Sequence, residues 1–206
     1  MRAVLKAFVL LVALGAVLLF GAFVWIGSRG ISARAEPGAI ETAVARTMRR
    51  LAIPRGERDR QNPVQSTAEV IAAGMSHYAD HCAACHANDG SGETEIGLGM
   101  YPKPPDMRKD ATQTLTDGEL FYIIENGVRL TGMPAWGAGT HESAEETWHL
   151  VHFIRQLPRL TPDQLDEMKA LNPRPPAEIR QQIEEDRFLK GSGTLAPPPP
   201  QPPHAH

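Results

Sequence analysis

The chain has 206 residues, room for one modest domain with extensions. Its formal net charge of −3 is unevenly spread: residues 67–160 hold thirteen acidic against six basic side chains, whereas residues 27–66 hold eight arginines against four acids. So acidic a central region excludes nucleic acid as an expected partner, and with the only two cysteines sharing one short motif no thiol remains for a disulfide.

At the N-terminus Arg2 and Lys6 precede twenty uncharged apolar residues, Ala7 to Ile26, the length of one transmembrane helix. A signal-peptide core is usually shorter. Ala33-Arg34-Ala35 offers an A-x-A cleavage pattern, so removal of the segment is the alternative; a retained anchor over residues 1–27 is expected, because the run is long and the A-x-A lies well past it. By the positive-inside rule Arg2 and Lys6 stay in the cytoplasm and the remainder faces outward.

Residues 28–66 read as a basic tether. Ile40, Val44, Met48 and Leu51 recur at helical spacing, which predicts a short amphipathic helix over 38–52 with Arg46, Arg49 and Arg50 on or near its other side. Packing on the following domain, or simple solvation, is the expected role; contact with anionic lipid headgroups is the alternative. Residues 55–66 read as an irregular linker, with Asn62-Pro63 marking a turn.

Ser66 or Thr67 caps a helix predicted from Ala68 to His81. Gly74 within it permits close approach of another helix, and the apolar stripe Trp148, Val151, Phe153, Ile154 and Leu157 of a helix predicted over 145–157 offers the partner. The first helix runs into Cys82-Ala83-Ala84-Cys85-His86. C-x-x-C-H is the covalent haem attachment signature. Positions i and i+3 share a helical face, so Cys82 and Cys85 reach two adjacent vinyl groups and His86 falls beside the iron. Half of a zinc site and a redox dithiol are the alternatives. Zinc needs a fourth ligand and an awkward adjacent Cys85–His86 pair; a dithiol needs a βαβ setting that is absent. Attachment to such motifs occurs on the outer side of the inner membrane, in keeping with the anchor's orientation.

Residues 87–115 read as a long loop, of the kind a large apolar cofactor would hold. Thr116-Asp117-Gly118-Glu119 opens a helix with Leu120, Ile123 and Ile124 as its buried stripe and Asn126-Gly127 as its stop. Met133 comes next, between Gly132 and Pro134, in a turn that aims its thioether rather than packing it; soft sulfur suits haem iron. Met100 is its main rival as a ligand. His77, His81, His141, His149 and His152 are weaker ones, and Met75 and Met107 read as packing residues. A helical extension is expected over 161–190. A disordered proline-rich tail is expected over 191–206, where His204 and His206 read as a frayed end rather than a metal site.

The C-x-x-C-H motif, the Leu120-to-Gly127 helix, Gly132-Met133-Pro134-Ala135-Trp136 and the terminal helix from Trp148 to Leu157 come in an order that resembles class I c-type cytochromes over about residues 67–158. The Gly-Met-Pro-Ala-Trp and Ile-x-Asn-Gly segments are similar to small bacterial cytochromes and to cytochrome subunits of oxidases and dehydrogenases. The resemblance implies a small all-α bundle around one covalent haem c in a domain at 67–160, with Gly74 crossing Phe153, thioethers at Cys82 and Cys85, and axial ligation by His86 and Met133. It implies a single-electron carrier rather than an enzyme; the N-terminal apolar run, which the resemblance does not reach, is expected to tether it by one pass to a bacterial inner membrane with the haem domain in the periplasm. Its redox partners would present a basic docking surface. Alternatives are a permanently docked oxidoreductase or oxidase subunit, or a haem enzyme or gas sensor with a displaceable Met133.

Overall fold

The computed structural model describes residues 2–30, 32–174 and 176–191. Among these it is all-helical, without strands. Helix α1, Arg2–Arg29, contains a 25-residue apolar stretch, Val4–Ser28, with none of its apolar window buried. At about 1.5 Å per residue that stretch exceeds a hydrocarbon core of about 30 Å, so the helix is long and apolar enough to cross a bilayer. Helix α2, Ala39–Ala52, falls where the apolar spacing predicts it.

Residues 54–66 differ from the expected irregular linker. They include a helical turn, α3, Arg55–Arg58, and strap across two later helices, α8 (Asp117–Asn126) and α9 (His141–Gln156). Thr116, the cap of α8, donates its hydroxyl to the Arg58 carbonyl at 2.6 Å. A Cβ on Gly118 would lie 2.0 Å from the Glu57 carbonyl oxygen, so only glycine lets the strap lie this close. Arg60 sits 4.4 Å above the Phe121 ring, which stacks on Trp148 at 4.1 Å. Asn62 donates to the Trp148 carbonyl at 3.0 Å, and a His152 ring nitrogen meets the Val64 carbonyl at 2.8 Å. Most of these contacts use backbone carbonyls, which leave no trace in residue type.

Helix α4, Ala68–His77, starts at Thr67, whose hydroxyl accepts from the Val70 amide. It crosses α9 at Gly74: a Cβ there would lie 2.3 Å from the His149 carbonyl oxygen and 3.0 Å from the Phe153 Cβ. The crossing implied by the resemblance is therefore present. Tyr78 and Phe153, both fully buried, continue the contact with ring centroids 5.1 Å apart. Helix α4 does not run on regularly to His81. A π turn, Tyr78–Cys82, intervenes before the short α5, Ala83–His86. An inserted residue rotates the rest of the helix by about 100°, which takes Cys85 off the Gly74–Tyr78 stripe where an unbroken helix would have put it.

Within the expected loop lie two single turns, α6 (Glu95–Leu98) and α7 (Asp110–Gln113). Helix α8 has a full capping box: the Thr116 hydroxyl accepts from the Glu119 amide and the Glu119 carboxylate from the Thr116 amide. Helix α9 begins one turn before the predicted start because Thr140 caps it through the Ser143 amide. Arg155 near its end ties α9 to the entry of α8, donating to Asp117 at 2.7 Å and to the carbonyls of Gln113 at 2.9 Å and Leu115 at 2.6 Å. Helix α10, Pro162–Leu171, also has a capping box, Thr161 with Gln164. It is more than an appendage, since Met168 is completely buried in the same core as Tyr78 and Ala79. Helix α11, Pro176–Leu189, keeps Ile179, Ile183, Phe188 and Leu189 exposed. The expected proline-rich tail, with His204 and His206, lies outside the described residues from 192 onward.

Candidate haem site

The C-x-x-C-H turn is fixed at both ends. Behind it stands Tyr78, whose hydroxyl donates to the Ala87 carbonyl at 3.0 Å. Ala87 has φ 59°, a left-handed conformation that stops the helix directly after His86. The Ala87 carbonyl also accepts from the Gly90 amide at 3.1 Å, and the His86 carbonyl from the Gly92 amide at 2.8 Å. Turn α6 packs on the motif through Gly97, where a Cβ would lie 2.6 Å from the Cys85 carbonyl oxygen. Further along, Arg108 bridges Asp89 at 2.6 Å and Asp106 at 2.9 Å, closing the first part of the loop. The Arg108 guanidinium holds the Asp106 carboxyl well below the usual range.

Both cysteines are half-buried, and neither is engaged in a disulfide. Burial, and secondarily the charge of Cys85, push the Cys82 thiol up to about 12. Burial also lowers the His86 pKa, which favours the neutral imidazole, the form that ligates metal. Its Nδ1 is buried without a hydrogen-bond partner.

Met133 sits on a loop bolted to the C-terminal end of α8. The Met133 carbonyl accepts from the Val128 amide at 3.1 Å, and the Trp136 and Gly137 amides donate to the Ile124 and Glu125 carbonyls, each at 3.1 Å. The Met133 amide donates to the Thr131 hydroxyl. Gly127 makes the return possible: it has φ 65°, and a Cβ there would lie 2.6 Å from the Pro134 carbonyl carbon. The Glu125 carboxylate accepts from Thr147 of α9 at 2.6 Å, anchoring the same corner. Met100 rests against this loop, with its sulfur 2.9 Å from where a Gly132 Cβ would be. Trp136 brings loop and motif together, meeting the His81 ring edge-on at 5.4 Å between centroids.

These residues fit a covalent haem. The two cysteines and the half-buried His86 imidazole lie in one turn, the Met133 loop reaches that turn through Trp136, and nearby segments leave Ile96, Leu98, Leu130 and Trp136 exposed as apolar surface. Among the described residues no group of three or more His, Cys, Asp or Glu could hold a metal ion by itself, so Cys82, Cys85 and His86 are not gathered as a zinc site.

Residues 69–154 match the family described as cytochrome c oxidase, cbb3-type, subunit III. Those residues are a c-type cytochrome domain. The cytochrome domain carries covalently bound haem c and serves haem-based electron transfer. The match runs from the first turn of α4 to near the end of α9 and takes in both the C-x-x-C-H turn and the Met133 loop. The strap and α10 lie outside it, although both pack on the domain. No curated protein matches the chain.

Proposed function

We propose that the chain is a membrane-tethered monohaem electron carrier whose domain, bounded near residues 67 and 160, faces the periplasm. Cys82 and Cys85 would form the thioethers, and His86 and Met133 would ligate the iron. The observation that carries this reading is the pairing of a half-buried His86, its Nδ1 buried without a hydrogen-bond partner, with a Met133 loop clamped to α8, the two joined through His81 and Trp136. Bound there, the haem supplies a one-electron ferric/ferrous couple. The His86 imidazole and the Met133 thioether would both hold the iron, and the sulfur would favour the reduced state. The exposed apolar residues exclude water from the cofactor's flank and so act in the same direction. The excess of acidic side chains over residues 67–160 suits partners with a basic docking surface. Helix α1 confines the carrier to the membrane plane and raises its effective concentration there.

A second reading is favoured by the description of the matching family: a subunit permanently docked in an oxidase. Purification from the membrane separates the two, since a docked subunit co-purifies with a larger complex and a shuttle does not. The ligation is tested by absorption spectroscopy, with a denaturing pyridine assay for haem type, on wild type and Met133→Ala. Covalent low-spin haem with a far-red sulfur-to-iron band that vanishes only in the variant is expected. Survival of that band in Met133→Ala would refute Met133 as ligand and point to Met100.

A further inference from the structure

Helix α2 is docked the wrong way round for a soluble protein. Its half-buried positions are Thr42 and Arg49, on its polar side. The Glu41 carboxylate accepts from the Tyr101 hydroxyl, the Arg50 carbonyl accepts from Arg58, and Ile53 just beyond the helix is buried. Ile40, Val44, Met48 and Leu51 are 82, 56, 60 and 73% exposed. At 100° per residue these four fall within an arc of about 80°, centred roughly opposite Thr42 and Arg49. The domain thus already occupies the polar face, and the apolar stripe points away from it. Only nine residues, 30–38, separate the end of α1 from the start of α2, a reach of at most about 30 Å. The stripe therefore stays within reach of the headgroups at the mouth of the span. Arg50 and, further round on the polar side, Arg46 are both exposed, within a tether that holds eight arginines against four acids.

From this arrangement we infer that α2 lies in the membrane interface, its Ile40–Val44–Met48–Leu51 stripe sunk among the acyl chains of an anionic bilayer and its polar side carrying the cytochrome domain. The occupant is lipid because the stripe is tethered within about 30 Å of a membrane span and the opposite side of the helix carries exposed cationic side chains, the pattern of an interfacial helix. The inference rests on α1 being a retained anchor.

The test uses the full-length, haem-loaded protein in nanodiscs of phosphatidylcholine with phosphatidylglycerol. The photo-crosslinking residue p-benzoylphenylalanine replaces, one at a time, Val44, Arg46 and, within α1, Val17, and adducts are identified by mass spectrometry. Lipid adducts at position 17, and at position 44 in about fivefold excess over position 46, are expected. Lipid adducts at 17, with 44 no more reactive toward lipid than 46, would overturn the inference while leaving the anchor intact. So would a cross-link from 44 to a second copy of the chain. No lipid adduct at 17 would remove the anchor and the inference together.

Discussion

Gly74→Ala inverts the usual effect of its substitution type. In an exposed helix interior, replacing glycine by alanine stabilises by up to about 1 kcal/mol. At position 74 the new methyl would sit 2.3 Å from the His149 carbonyl oxygen, 2.8 Å from its carbon and 3.0 Å from the Phe153 Cβ, against 3.4 Å or more for ordinary contact. Two of those atoms are backbone and cannot rotate away, so α4 and α9 must separate by about 1 Å. Overpacking of that kind costs about 3 kcal/mol. Offset by the gain in propensity, the expected net loss is about 2 kcal/mol. Guanidinium unfolding of the matured protein, followed by helical circular dichroism and haem absorbance together, would show a lower midpoint with an unchanged slope. The exposed neighbour provides the control: Ala73→Gly should lose about 1 kcal/mol through propensity alone. A Gly74→Ala protein as stable as wild type would refute the close crossing and the register it gives the C-x-x-C-H turn.

Gly127→Ala should loosen the Met133 loop selectively, because the added methyl meets the Pro134 carbonyl carbon at 2.6 Å on a backbone with φ 65°; covalent haem should persist while the far-red band weakens or disappears in the absorption spectrum. Arg155→Ala should cost about 2–3 kcal/mol by chemical denaturation, since it leaves the Leu115 and Gln113 carbonyls and Asp117 without this donor. His77 has its pKa lowered from the ordinary 6.5 chiefly by burial and then by the charge of His81. The unfolded chain thus takes up the proton first, and the stability contributed by neutral His77 is full above about 6.5 and is lost as pH falls toward the folded value. His77→Gln should flatten the stability–pH curve in that acidic window, read by denaturant midpoints.

The features legible in the sequence were those that residue types encode directly. The Thr116 cap, the glycine beneath Phe153 and the helical spacing of α2 all rest on side chains suited to a single role. The π turn was hidden because Tyr78, Ala79, Asp80, His81 and Cys82 are compatible with an ordinary helix; the widening lies in the hydrogen-bond ladder. The strap was hidden because it is polar and holds through carbonyls, although Gly118 beside a capping box was a sign that something approaches α8 closely. The burial of Met168 was masked by the charged residues around it in α10. At the candidate site, motif and loop were legible, whereas the meeting of His81 with Trp136 is a product of tertiary packing.

Helix α8 is gripped at both ends by other parts of the chain: the strap lies over its first turn at Thr116 and Gly118, and the Met133 loop folds back on its last turn at Ile124, Glu125 and Gly127. Its ten residues span about 15 Å. A thioether presented from such a mount has little freedom to drift when the iron changes charge. Were Met133 the ligand, its sulfur would keep nearly one position in both oxidation states. The reorganisation energy of each electron transfer would then be small, and a modest driving force would suffice to move the electron quickly.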